Sequence, residues 1–360
     1  MRHVAKTAVA LGAIALALAG CSKPNNAESS GSGASGSKGA SVKACMVLDT
    51  GGVDDKSFNQ SSWAGLQAAQ KANSNLDVSY VASNSSNDYT PNLTQETNAG
   101  CDPIIAVGGL MAKNLETIAK ANPKVHYAEI DNPSTTSNVY GIQYNTAQGG
   151  FLGGYLAAAM TKTGTVGTWG GLNIPPVTIY MDGFWEGVQY YNKQNHKSVK
   201  VLGWDEKNPK GGTFAGSFTD QNKGKQITQA MQQQGADIVF PVAGSAGLGA
   251  GAAAQASGGK LNLIWVDTDG CVSAAQYCKY FISSVTKGLS ASVQTYMRQV
   301  SAGTFPSGNY IGTLKNHGTG LAPYHDWANK VPAAVKSQLR TITADIESGK
   351  IKITSPSQPK

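Results

Sequence analysis

Short apolar runs alternate along this chain with longer stretches whose apolar residues recur at helical spacing. The runs predict strands at Ala44–Leu48, Val78–Val81, Ile104–Val107, Val125–Ile130, Val139–Ile142, Thr165–Trp169, Val199–Gly203, Ile238–Val242, Leu261–Val266 and Phe281–Val285. Between them the spacing predicts helices such as Ala64–Lys71, Leu110–Ala121, Gln148–Met160, Met181–Asn192, Gly224–Gln234 and Leu289–Val300. This alternation implies an α/β protein, with mostly parallel sheets covered by helices on both faces. The tail breaks the pattern. It reads as a short run at Ile311–Leu314, a glycine loop through Gly320, a helix near Val331–Ser348 and a last strand at Ile351–Ile353.

Polar groups gather just after the strands. Asp49 follows the first, Gly108-Gly109 the third, and Asp131-Asn132 the fourth. Gly244 closes a later strand, Asp267 and Asp269 the next, and Lys287 the one after. In open α/β sheets ligands bind at such carboxyl ends, so two doubly wound lobes facing each other would form a solute-trapping cleft. The densest of these places is the run from Asp49 to Gly65, which passes through Gly51-Gly52 into an amphipathic helix. Asp49, Phe58 and Asn59 are its expected ligand-facing residues. Asp54 and Asp55 are expected to shape the turn and cap the helix, and Trp63 to sit in the core.

The chain has 360 residues, and its start is an address label. Arg2 and Lys6 precede an apolar stretch from Val9 to Leu18, and Leu18-Ala19-Gly20-Cys21 closes it with small residues before a cysteine. That is the build of a secretory signal, too short to span a bilayer as an anchor. Residues 22–41 are almost wholly Ser, Gly, Ala, Asn and Lys, a composition that cannot bury a core. As a flexible tether they would span about 25 Å root-mean-square. Removing residues 1–20 takes away Arg2 and Lys6 and no acid, so the net charge of +7 becomes +5. The lysines are scattered and not interleaved with aromatics, which argues against nucleic acid as a partner.

Four cysteines remain after Cys21. In an exported chain an even count suggests disulfides, and the spacing pairs most simply as Cys45–Cys101 and Cys271–Cys278. Zinc is the rival reading, but there is no CxxC and the five histidines are scattered. No metal and no cofactor are expected. No GxSxG, HExxH or Walker A sequence occurs. A GxGxxA pattern at Gly249–Ala254, with Asp267 and Asp269 further on, has the glycines of a dinucleotide site. It begins about seven residues beyond its strand rather than at the turn, and a small-residue helix packed on the sheet fits better.

The opening run, taken with Phe240-Pro241-Val242-Ala243-Gly244, Trp265–Gly270, Ser284–Lys287, Met181–Phe184 and Gly318–Asp326, resembles the basic membrane protein family over about residues 43–353. These are lipoprotein substrate-binding components of ABC importers and include purine-nucleoside receptors. The Leu-Ala-Gly-Cys ending likewise resembles a lipobox, with Cys21 as the lipidated residue. The resemblance implies a type I periplasmic-binding-protein fold, two Rossmann-like lobes joined by three crossovers, and no catalysis. On that basis the first lobe is expected over 42–143, completed by about 269–308. The second is expected over 144–268, completed by about 309–360.

The same resemblance implies a nucleoside pocket. Its aromatic pair falls on Phe58 and Phe240 and its base-contacting acid on Asp131, with Asp49 and Asn59 facing the ligand. Ribose contacts fall on Asp269, Lys287 and the backbone at Gly244. Ser245 stands where those receptors have a second glycine, and Ile174-Pro175-Pro176-Val177 where they carry methionines. The implied protein is a monomer, lipid-anchored on the extracytoplasmic face of the cell membrane, which presents a nucleoside to an ABC permease. A sugar or sugar-derived signal in the same fold is the alternative. An exported nucleoside-processing enzyme and a surface adhesin rank lower.

Overall fold

The structure, a computed structural model, describes residues 41–359; Cys21, the signal and all of the tether except Ser41 lie outside the described residues. Two six-stranded sheets carry the fold. The first half of the chain lays down β1 (Val42–Leu48), α1 (Phe58–Ala72), β2 (Leu76–Ala82), α2 (Tyr89–Asn98), β3 (Ile104–Val107), α3 (Ala112–Ala121), β4 (Tyr127–Ile130) and β5 (Val139–Tyr144). Then come α4 (Ala147–Met160), β6 (Thr165–Gly170), α5 (Pro175–Asn195), β7 (Lys200–Leu202), α6 (Gln221–Gln233), β8 (Ile238–Val242), α7 (Leu248–Ala256) and β9 (Asn262–Asp267). The rest is α8 (Gly270–Ser273), β10 (Phe281–Lys287), α9 (Leu289–Ser301), β11 (Gly308–Gly312), β12 (Thr319–Leu321) and α10 (Ala333–Glu347).

The first sheet has the order β11-β5-β4-β3-β1-β2, with every pair parallel. The second runs β12-β10-β9-β8-β6-β7, parallel except for β12, which lies antiparallel to β10. Helices on both faces explain why a central strand such as β3 reads as an unbroken apolar run; β4 is also buried at every position, although it carries Glu129.

The chain passes between the lobes three times, after β5, after β10 and after β11. The expected division therefore needs correction. Residues 269–308 do not all complete the first lobe, because β10 pairs with β9 and carries Ile282 and Val285 into the second core. β11 pairs with β5 in the first sheet, while α9 puts Leu289, Val293 and Met297 into the first core. Two smaller expectations also change. Thr319–Leu321, read as glycine loop, is a strand. Ile351–Ile353 is not one, because its backbone runs on toward α5, where Thr354 bonds to Glu186 and Ser355 to Asp182.

Glycine lets α4 lie directly on α5. A Cβ on Gly154 would fall 1.9 Å from the Phe184 carbonyl oxygen, and one on Gly183 2.1 Å from that of Ala147. The GxGxxA segment forms α7, whose Gly249 meets the backbone of Gln221 and whose Gly251 meets the Tyr277 ring, so these glycines serve packing. Disulfides join Cys45 to Cys101 and Cys271 to Cys278, with Cα–Cα distances of 5.7 and 4.4 Å. Trp63 is half-buried, with its ring edge-to-face against Tyr80 at 4.9 Å.

Candidate ligand-binding cleft

Residues at or just beyond the carboxyl ends of β1, β3, β4, β8, β9 and β10 line one cleft between the two sheets. On the first-lobe side Asp49 follows β1 and α1 begins at Phe58. The turn between them is fixed by Asp55, whose carboxylate accepts from the backbone N–H groups of Ser57, Asn59 and Gln60 at 3.0, 2.8 and 3.1 Å. Burial pushes the Asp55 carboxyl up to about 6 against these donors. Asn59 donates its amide to Asp49 at 3.2 Å. Burial also holds Asp49 well above the usual carboxylate range, with the Asn59 bond opposing it. Gly108 makes room for this acid, since a Cβ there would lie 2.0 Å from the Asp49 carboxylate.

Asp131 and Lys287 meet across the lobes at 2.6 Å, with side chains 8 % and 3 % exposed. Burial raises the Asp131 carboxyl, and the Lys287 ammonium pulls it partway back. Lys287 also lies over the rings of Phe58, Tyr144 and Tyr180, at 4.7, 5.1 and 5.9 Å from their centroids. Asp131 and Asp267 both adopt positive φ, 76° and 63°, which is costly for a side chain other than glycine. Strain of this kind collects at functional sites because the surroundings must hold it in place.

Asp267 is held from both sides. Ser57 of the first lobe and Tyr180 of α5 each donate a hydroxyl to it at 2.6 Å. Beside it the Lys56 carbonyl accepts from Trp265 and Thr268 at 3.3 and 3.0 Å. These bonds draw the lobes together. The cleft's free volume is accordingly about 60 Å3, against roughly 300–1,000 Å3 for sites that enclose small molecules. A ligand of that size enters only when the lobes part.

Six of the expected residues line this cleft: Asp49, Phe58, Asn59, Asp131, Gly244 and Lys287. Two do not. Phe240 is wholly buried beneath it, packed on Phe184 and Tyr180, and Val242, two residues on along the same face, reaches the cleft instead. Asp269 caps α8 through the Cys271 N–H and lies 2.6 Å from His325, outside the cleft. Asp267 takes its place. Its position at the very end of a strand was a usable signal, whereas Phe218, which supplies a second ring, sits in an irregular segment with no periodicity to mark it.

The wall above the acids is apolar, with Ile174, Pro176, Val177, Phe218 and Val242. No cysteine or histidine lines the cleft among the described residues. Such a site can hold a flat, neutral molecule by ring contact on one side and by hydrogen bonds to carboxylates on the other.

Two parallel-sheet lobes, three crossovers and a cleft at the strand ends define a solute-trapping protein of the periplasmic-binding type. The sequence profile of the Bmp family, described as ABC transporter substrate-binding protein PnrA-like, matches residues 42–353. The chain belongs to this family of ABC transporter substrate-binding proteins, which are not enzymes. It is 29 % identical to the ABC transporter nucleoside-binding protein BmpA of Lactococcus lactis subsp. cremoris, over 98 % of this chain and 99 % of that protein. Identity is 31 % to the CD4+ T-cell-stimulating antigen of Listeria monocytogenes, over 87 % and 88 % of the two chains. The crystal structure of an ABC transporter solute-binding protein from Aeropyrum pernix K1 superposes with a TM-score of 0.75 at 26 % identity, covering 88 % of this chain and 94 % of that one.

Proposed function

We propose that this substrate-binding protein captures a nucleoside, purine in preference, between its lobes and delivers it to a membrane permease. The observation that carries the reading is the grouping of Phe58 with the Asp49–Asn59 and Asp131–Lys287 pairs on one cleft floor. A nucleobase offers a flat π-face and edge N–H groups, while ribose offers hydroxyls that both donate and accept. Stacking a base on an aromatic ring is worth about 1–3 kcal/mol. The larger face of a purine gains more from contact with Phe58 and with Phe218 on the cleft wall. The name of the Lactococcus relative supports the same ligand class.

Nucleosides are preferred over nucleotides. Four carboxyl groups, those of Asp49, Asp55, Asp131 and Asp267, line the cleft with one lysine already engaged. A phosphate would add like charge to a buried acidic site. No helix among the described residues is long and apolar enough to cross a membrane. Attachment through a lipid on Cys21, with residues 22–41 as tether, would hold a monomer near its permease on the extracytoplasmic face; one acyl chain alone binds only marginally, so stable anchoring requires more than one.

Titration calorimetry of protein beginning at Ser22 tests the reading. Adenosine should bind without product forming, and adenosine 5′-monophosphate should bind at least tenfold more weakly. Equal affinity for the two, or turnover of the nucleoside, would contradict it.

A further inference from the structure

A second cavity, of about 460 Å3, adjoins the cleft on its hinge side. It shares Gly109, Asp131, Ile174, Pro176 and Lys287 with the cleft, so the two spaces are contiguous around the buried ion pair. Its remaining wall includes Leu110 after β3, Gln143 near the end of β5, Thr146 in the first crossover, Ile179 of α5 and the C-terminal segment. That segment is fastened on both sides. Ser357 bonds to Thr178 of α5 at 2.8 Å, and Gln358 accepts from Asn145 at the hinge at 3.0 Å. These bonds fix one wall of the chamber, which stays open to solvent on another side.

Its chemistry differs from that of the cleft. Asp131 and Lys287 are its only charged lining residues among the described residues, and they neutralise each other. The amide nitrogen of Gln143 and the hydroxyl of Thr146 find no partner in the protein, although both residues are more than nine-tenths buried. Neither atom is open to the cavity as it stands; a half-turn about the last torsion of Gln143 exchanges its nitrogen and oxygen, and it is through that turn that the amide would offer a donor in place of an acceptor.

We propose that the hinge chamber is a second compartment of the binding site, which receives a neutral hydrogen-bonding substituent, amide or hydroxyl, carried by the ligand. The protein would then accept substituted nucleosides as well as the parent compounds. This rests on the nucleoside reading of the cleft.

The test is calorimetry with adenosine, 5′-(N-ethylcarboxamido)adenosine and N6-(2-hydroxyethyl)adenosine, which extend the ligand from its two ends. At least one substituted compound should bind within threefold of adenosine or tighter. For that compound the affinity ratio to adenosine should fall at least tenfold in Gln143→Leu, which removes the amide, and in Leu110→Trp, which fills the chamber. Weakening of both compounds by more than threefold, or a ratio that falls less than tenfold in both variants, overturns the proposal. Should one variant fail to fold, the other decides. If adenosine itself does not bind, the nucleoside reading fails first and the chamber proposal falls with it.

Discussion

The Lys287 ammonium lies 2.6 Å from the Asp131 carboxylate, and the two residues belong to different lobes. Lys287 is the last residue of β10 and Asp131 the first after β4, so the ion pair ties together the two edges that make the cleft. Both side chains are nearly dry. Breaking such a pair from one side leaves a buried charge without a partner, at a cost of about 3–5 kcal/mol. Lys287→Met should lower the urea midpoint accordingly, and Lys287→Met with Asp131→Leu should recover most of the loss. An unchanged midpoint in the single variant would show that the pair does not hold the lobes.

Phe58 and Phe240 should separate cleanly on mutation. Phe58 lines the cleft, so Phe58→Ala should weaken nucleoside binding at least tenfold, or about 1.4 kcal/mol, with little change in folding. Phe240 lies in the core at 0 % exposure, so Phe240→Ala should destabilise the fold by about 3–5 kcal/mol. Paired calorimetry and chemical denaturation check both. A Phe240→Ala protein of normal stability that has lost ligand would restore Phe240 to the site.

These two rings also show what the sequence could reveal. The strands were legible because parallel strands covered on both faces are apolar throughout, as in Ile104–Val107. A strand's last residue and the one two before it share a face, so pattern alone did not separate the buried Phe240 from Val242 at the rim. The choice between Asp267 and Asp269 turned on the left-handed backbone at Asp267, which no composition signals. Polar α2 buries only Tyr89, Leu93 and Glu96, too thin a stripe to mark a helix in advance. The exchange of β10 and β11 between lobes is a matter of pairing, and sequence order does not state which sheet a strand joins.

Stability should fall as pH rises through the neutral range, and Glu129 should be a main cause. Its side chain is buried in the first sheet, with one oxygen accepting from Asn132 and the other without a partner. Burial raises this carboxyl to about 8, from 4.5 in an exposed chain. Between those values the folded protein keeps a proton that the unfolded chain has lost. Each rise of one pH unit in that window therefore disfavours folding by up to about 1.4 kcal/mol. Glu129→Gln, which cannot ionise, should flatten the pH dependence of the thermal midpoint and raise it at about pH 8, where the wild-type carboxyl is most costly to keep buried. A wild-type slope retained in that variant would assign the effect elsewhere.

The contact of α4 with α5 has no room for a side chain at Gly154. Gly154→Ala should cost about 1–3 kcal/mol through overpacking, despite the better helix propensity of alanine. Denaturant unfolding measures it, and a stabilised variant would mean that the helices can separate freely.

The central claim, that the interlobe cleft is a nucleoside trap, is tested most directly by one calorimetric panel on protein beginning at Ser22. The panel sets purine and pyrimidine nucleosides against free bases, ribose and hexoses. Nucleosides should bind saturably, purines tightest, with bases and ribose weaker. Binding of a hexose with no heat from any nucleoside would contradict it.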